Sequence, residues 1–286
     1  MKIYITGLPS GYEVEHLVRL FYPMAPLTLT APEDGEDCVW AEKKPDGLWA
    51  MVRERGKSKT ARALLPDIET PEFALASLTY DLLRAWTGIR PPWGKMTGVR
   101  PVRLIHDKRA AGWSEEDIDQ FFLGRFDCSR QKYQMAKAIA DLQEPILKAG
   151  SVPKTYSLYI GIPFCPSRCS YCSFVSCNLD RDRKMVQPYV DCLCREVEEI
   201  KAQADKAGLT LCSIYIGGGT PTSLSADQLR QLMGTVRENF DLSQVMEYTV
   251  EAGRPDCTDA EKLAVIKEYG ATRISINPQT FSDEVL

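Results

Sequence analysis

Apolar positions recur along this chain with two different periods, and the balance between the two changes near residue 150. Lys2–Thr6 is a short β-prone run, followed by a helical pattern around Glu13–Phe21. In CVWAEKKPDGLWAMVRER, residues 38–55, two apolar runs flank Pro45-Asp46-Gly47. Proline presets φ and glycine supplies positive φ, so a hairpin is expected. Pro71–Thr87 carries Leu75, Leu78, Leu82 and Leu83 at helical spacing, with Gly88 as its stop. GIRPPWGKMTGVRP, residues 88–101, is expected to be irregular. Ser114 with Asp117 three residues on marks another helix start, and Ser129–Leu147 a further helix. KAGSVPK, residues 148–154, marks a boundary.

Beyond it, strand and helix patterns alternate. SLYIGIPF (157–164), LCSIYIGGG (211–219), EYTVEA (247–252) and TRISINPQ (272–279) read as strands. Residues 186–205, Ser225–Asn239 and Thr258–Tyr269 read as the intervening helices. Such alternation predicts parallel βα units. The expected organisation is a smaller α+β domain over 1–150 and an α/β domain over 151–286 of about four βα units. A βα barrel or half-barrel left at that point has an open sheet edge, which natural proteins avoid. The chain therefore reads as a fragment, or as one whose remaining part is supplied elsewhere.

Composition adds exclusions. A length of 286 residues suits about two domains. The net charge of −4 gives no reason to expect a nucleic-acid or anionic-membrane partner. The N-terminus lacks a continuous apolar signal segment, and no run reaches eighteen apolar residues, so neither secretion nor a membrane span is expected. Ten cysteines without a secretion signal point to reduced thiols in the cytoplasm, where a tight cluster suggests metal or redox chemistry.

Three of them, Cys165, Cys169 and Cys172, follow the first strand of the α/β part with the spacing C-x3-C-x2-C. Thiolates hold iron–sulfur clusters, and three on one loop can ligate three irons of a [4Fe–4S] cubane while the fourth iron stays open to another ligand. Zinc would want a second paired C-x2-C, which is absent, and His16 and His106 are remote in sequence. Cys177, five residues past Cys172, is the rival fourth thiolate. Cys192 and Cys194 lie on a helical pattern, and Cys38, Cys128, Cys212 and Cys257 have no partner pattern.

The second strand ends in IYIGGGTPTSL, residues 214–224. Neither G-x-G-x-x-G nor G-K-[ST] is present, so the glycines are read as allowing close approach of backbone to a ligand, with Pro221 stiffening the exit. Glu251 ends the third strand and Gln279 the fourth, at the end of the sheet where βα proteins build their sites.

C-x3-C-x-aromatic-C, with Tyr171 as the aromatic, resembles the signature of the radical S-adenosylmethionine (SAM) superfamily. That resemblance, over about 155–286, implies a partial (βα)6 barrel, truncated here after about four units, with a [4Fe–4S] cluster and SAM as cofactors. In that family the amino and carboxyl groups of SAM chelate the fourth iron, and electron transfer cleaves SAM to methionine and a 5′-deoxyadenosyl radical. SLYIGIPFCPSRCSYCSF, GGGTPTSL, VEAGRPD and RISINPQTF, with MKIYITG and PPWGKMTGVRP before them, resemble the oxygen-independent coproporphyrinogen III oxidase group, HemZ-like branch. This implies abstraction of hydrogen from the propionate β-carbons of coproporphyrinogen III, with loss of carbon dioxide and an electron leaving vinyl groups. It further implies a tetrapyrrole substrate, an electron donor such as flavodoxin or ferredoxin, and a monomer.

By the same resemblance, Cys165, Cys169 and Cys172 are the cluster ligands, and Tyr159, Gly218, Gly219, Thr220, Glu251 and Gln279 lie at SAM. Tyr171 matches an aromatic at a second SAM. Two positions depart from the better-known members: Gly161 stands where they carry histidine, and Phe174 where they carry a fourth cysteine. No catalytic acid or base is assigned. Haem chaperones of the same superfamily offer an alternative reading, as does a radical SAM enzyme with another substrate. Arg168, Arg254, Arg90 and Arg100 are candidate partners for substrate carboxylates, each read first as a solvated surface residue.

Overall fold

The computed structural model describes residues 1–65 and 69–284. They form two compact units, Met1–Leu142 and Gln143–Leu286. None of the described helices is long and apolar enough to cross a membrane.

The first unit runs β1 (Lys2–Thr6), α1 (Tyr12–Arg19), β2 (Leu27–Thr28), β3 (Cys38–Lys44), β4 (Gly47–Glu54), β5 (Lys57–Ala63), α2 (Pro71–Thr87), α3 (Pro101–Ala110) and α4 (Glu115–Asp119). A π-helical turn, Gln120–Arg125, leads to α5 (Arg130–Gly150), within which the two units divide. The sheet order is β2-β1-β3-β4-β5. The β3–β4 hairpin pairs Lys44 with Gly47 across Pro45-Asp46. Gly47 is held against Ala63 O, which an added Cβ would approach to 2.6 Å. Helix α2 follows the predicted bounds because its ends are chemically marked. Thr70 Oγ1 accepts the Phe73 N–H, Pro71 opens the helix, and Gly88 turns left-handed with φ 72°. Val14, Leu17, Leu75 and Leu83 pack from the helices onto Val39, Ala50 and Val52 of the sheet.

The Pro/Gly-rich segment 88–100 is irregular, as its composition predicts, but Pro101 opens α3, a helix absent from the pattern reading. Two cations of that segment, Arg90 and Lys95, have structural partners. Arg90, Arg84 and Tyr80 all donate to the Asp127 carboxylate, and Lys95 pairs with Asp81.

The second unit runs β6 (Thr155–Ile162), β7 (Phe164–Cys165), β8 (Cys177–Asn178), α6 (Leu179–Asp182), α7 (Val186–Ala207), β9 (Thr210–Gly218), α8 (Ala226–Asn239), β10 (Glu247–Glu251), α9 (Ala260–Glu268) and β11 (Arg273–Ser275). Its main sheet is wholly parallel, in the order β11-β10-β9-β6. Each new strand adds to the same edge, so the sheet is wound in one direction rather than reversing as in a doubly wound fold. Leu158, Ile160, Ile162, Ile214, Ile216 and Val250 face a core completed by Val190 and Leu193 of α7, Leu229 and Leu232 of α8, and Val265 and Ile266 of α9. The alternate positions are polar. Ser213 Oγ donates to Ser157 Oγ at 2.7 Å, and Arg273 Nη1 donates to Glu247 Oε2 at 2.9 Å.

The fourth strand is shorter than expected. Pairing stops at Ser275, opposite Glu251 where β10 ends, and Pro278 removes a donor from what would follow. Gln279 therefore sits not at a strand end but in a loop beyond it, at φ 64°.

Candidate active site

The cysteine loop is pinned where it leaves and rejoins the sheet. Phe164 pairs with Cys177 and Cys165 with Asn178, and the Cys177 N–H donates to Pro163 O at 2.7 Å. Between these ties the loop turns on itself, with the Cys172 N–H donating to Cys169 O at 3.1 Å.

The glycine turn after β9 lies directly against it. The Gly219 N–H donates to Ile162 O at 2.7 Å, bringing that backbone beside the first cysteine. A Cβ on Gly219 would stand 2.9 Å from Cys165 Sγ and from Phe164 O. Gly218 adopts φ 113°, a conformation side chains rarely take, and its Cβ would meet the Ile162 backbone at 3.0 Å. Thr220, buried, donates from Oγ1 to Cys165 Sγ at 3.5 Å.

The carboxylate of Glu251 accepts from Tyr215 OH at 2.5 Å. That hydrogen bond, reinforced by burial, pushes the Tyr215 phenol up to about 12. Tyr159 stacks on Tyr215 with ring centroids 5.8 Å apart and planes 10° from parallel. The Tyr171 phenol is also raised, chiefly by its hydrogen bond with Cys169.

These elements enclose a cavity of about 930 Å³ at the carboxyl ends of the strands. Cys165, Cys169, Cys172, Tyr171, Gly218, Gly219, Thr220, Glu251 and Gln279 all line it. Tyr159 does not, standing behind Glu251 through Tyr215. Cys177 is also outside the lining and packs against the helix-side core. Gly161 carries no functional group; its carbonyl accepts from Tyr189 OH at 2.7 Å, and a Cβ there would meet nothing closer than 3.6 Å. The position is thus open to a larger residue, and no histidine occurs anywhere in the second unit. Phe174 lines the cavity with 72 % of its surface exposed.

Arg254, read in the sequence as a candidate for substrate carboxylates or a solvated surface residue, has instead a contact that the sequence hides. It follows Glu251 by three residues and reaches the cysteine loop, donating to Ser167 O at 3.0 Å and Ser167 Oγ at 3.1 Å. It is held by Asp256, whose carboxyl it keeps below the usual range. The motif VEAGRPD was the available signal, but only the fold places its arginine opposite residues 167–169.

Among the described residues, no three of histidine, cysteine, aspartate and glutamate converge on a single metal ion. A structural zinc would require its thiolates at about 2.3 Å from one point. A cubane instead takes each thiolate at a separate iron, which suits three sulfurs spread around a cavity.

The profile of the radical SAM superfamily matches residues 159–286. The chain is 37 % identical over 213 residues to the oxygen-independent coproporphyrinogen-III oxidase-like protein HemZ of Bacillus subtilis, covering 72 % of this chain and 42 % of that protein. It is 42 % identical over 131 residues to the haem chaperone HemW of B. subtilis, covering 46 % of this chain and 33 % of that protein. It is 35 % identical over 133 residues to the oxygen-independent coproporphyrinogen III oxidase of Pseudomonas aeruginosa, covering 45 % and 28 %. The solved structure of coproporphyrinogen III oxidase HemN from Escherichia coli, described as a radical SAM enzyme, matches with TM-score 0.41 at 29 % identity, over 50 % of this chain and 32 % of that one. The chain spans less than half the length of each of these proteins.

Proposed function

Because this chain belongs to the radical SAM superfamily, in its HemZ-like group, we propose that it carries out the oxygen-independent oxidative decarboxylation of coproporphyrinogen III propionates to vinyl groups. Cofactors of the family are a [4Fe–4S] cluster and SAM. One observation carries the reading: three cysteines, a glycine turn that admits no Cβ, Glu251 at the end of β10 and Gln279 in the loop beyond β11 all border one cavity.

The residues fit those cofactors. Cys165, Cys169 and Cys172 would hold three irons, and the absence of Cys177 from the cavity lining supports a three-thiolate set. Gly218 and Gly219 offer backbone unobstructed by side chains beside Cys165, and Glu251 offers a carboxylate suited to a ligand ammonium group. Gln279 would close the opposite wall and Tyr171 a neighbouring one. Tyr159 would act through Tyr215, orienting the Glu251 carboxylate from behind. When bound, the reduced cluster and SAM supply a one-electron cleavage whose carbon radical can take hydrogen from an unactivated C–H bond. The one-way winding of the sheet and its polar second face are compatible with a partial (βα)6 barrel. Electrons would come from a low-potential donor such as flavodoxin or ferredoxin.

Similarity to HemZ extends over 72 % of this chain and so reaches into the first unit, whereas that to HemW covers 46 %, which favours the oxidase-like reading. A second reading rests on Gly161. With no imidazole in the second unit, a chaperone-like role in holding haem is the alternative. The test is anaerobic reconstitution of the intact protein with iron and sulfide, followed by SAM, a reductant and coproporphyrinogen III. The expected products are 5′-deoxyadenosine and protoporphyrinogen IX. SAM cleavage without tetrapyrrole turnover would reject the substrate, and stoichiometric haem binding without turnover would favour the second reading.

A further inference from the structure

Arg254 uses its whole guanidinium. Nε and one N–H of Nη2 go to Asp256 at 3.0 and 2.5 Å. The other Nη2 donor goes to Ser167 Oγ at 3.1 Å, and Nη1 donates to Ser167 O at 3.0 Å and to Cys169 Sγ at 3.7 Å. These contacts account for all the N–H donors an arginine has. They join the loop after β10 to the cysteine loop, across 85 residues of sequence. A side chain so engaged is not available to a substrate carboxylate, and three quarters of its surface is withdrawn from solvent.

We infer that Arg254 is a positioning residue that presets the cysteine loop before any cluster is bound and then sets the reduction potential of that cluster, with Asp256 fixing how much of its charge is felt. The inference rests on the radical SAM reading. One-electron reduction by an external low-potential donor adds a negative charge to an already anionic thiolate-bound cluster. A guanidinium hydrogen-bonded to a ligand sulfur stabilises that more negative form and raises the potential. Asp256 opposes this by partly neutralising the same guanidinium. The planar fork matters as well as the charge, because a lysine ammonium cannot span Ser167, Cys169 and Asp256 at once.

Two measurements test this. In the intact protein loaded anaerobically with iron and sulfide, a dithionite titration followed by electron paramagnetic resonance gives the midpoint potential. Arg254→Gln should lower the reduced-to-oxidised ratio at fixed potential by about tenfold, equivalent to about 59 mV for one electron. Asp256→Asn should shift it the other way. A purely structural role would not produce opposite signs from two partners in one contact. In the metal-free protein, alkylation of Cys169 by iodoacetamide, mapped by mass spectrometry, should be several-fold faster in both Arg254→Gln and Arg254→Lys than in the unaltered chain. Shifts of the same sign in the two potential measurements, or no shift in either, would overturn the tuning role. Unchanged alkylation would overturn the clamp. If the unaltered protein took up no [4Fe–4S] cluster, the radical SAM reading and the tuning role would fall together, and the alkylation arm would still decide the clamp.

Discussion

Gly219→Ala tests whether the glycine turn is built around the first cysteine. The backbone of Gly219 is not left-handed, so the added methyl costs little through φ. Its cost is contact: 2.9 Å to Cys165 Sγ, 2.9 Å to Phe164 O and 3.1 Å to Ile162 O. Two of these atoms belong to backbone that cannot easily give. Ile162 O accepts the Gly219 N–H itself, and Phe164 is paired with Cys177. Relief therefore requires the turn to lift away. That loses a hydrogen bond worth roughly 0.5–1.5 kcal/mol on top of an overpacking cost of about 1–3 kcal/mol. A total of about 1.5–4.5 kcal/mol is expected from these two terms. It should appear as a lower urea midpoint with an unchanged slope, together with reduced iron per chain after anaerobic reconstitution. Gly88→Ala is the control. It also meets a steric rule, since φ is 72°, but nothing lies within 4 Å of its Cβ. It should cost about 1–2 kcal/mol through backbone strain alone and leave iron uptake intact. An unchanged midpoint and full iron content in Gly219→Ala would refute the argument that this glycine is required by close approach to Cys165.

Cys165→Ser should abolish iron uptake while Cys177→Ser retains it; equal loss in both, measured by iron and sulfide content, would return Cys177 to the ligand set. Glu251→Gln should weaken SAM binding measured by calorimetry and bring the Tyr215 phenol down from about 12 towards its ordinary value. The sign follows from the raised value. The stabilisation from this contact is full below pH 10 and lost as pH rises towards about 12, so the variant should lose less stability over that alkaline window than the unaltered chain. Ser225→Ala removes one half of the capping box at the start of α8, in which Ser225 Oγ accepts from Gln228 N at 3.2 Å and Gln228 Oε1 accepts from Ser225 N at 2.9 Å. It should cost about 1 kcal/mol in urea unfolding with iron uptake unchanged.

Much of the second unit is legible because its signals are local. Helices α7 and α8 emerge from apolar periodicity. β6, β9 and β10 emerge as short apolar runs ending in Gly, Pro or an acidic residue. The fourth strand misled because TRISINPQ has the composition of a strand over eight residues, while pairing lasts only as long as β10 offers partners. Helix α3 was hidden behind the Pro/Gly-rich segment whose last proline opens it. Arg90 and Arg254 illustrate a common limit. A sequence shows that a cation exists but not that Asp127 or the cysteine loop waits opposite it.

The sequence by itself determines the donor chemistry. Three thiols within eight residues, a glycine triplet after a strand and an acid at the next strand end are properties of single segments, set by spacing and residue type. The tertiary structure alone decides which of these groups share a cavity. Strand register brings Gly218 beside Ile162 and thus Gly219 beside Cys165, and places Tyr159 over Tyr215 rather than in the cavity. The β7–β8 pairing turns Cys177 towards the core, and the loop after β10 carries Arg254 back to Cys169. Each of these depends on the direction of a side chain relative to a neighbour many residues away, and a one-residue change of register would reverse it.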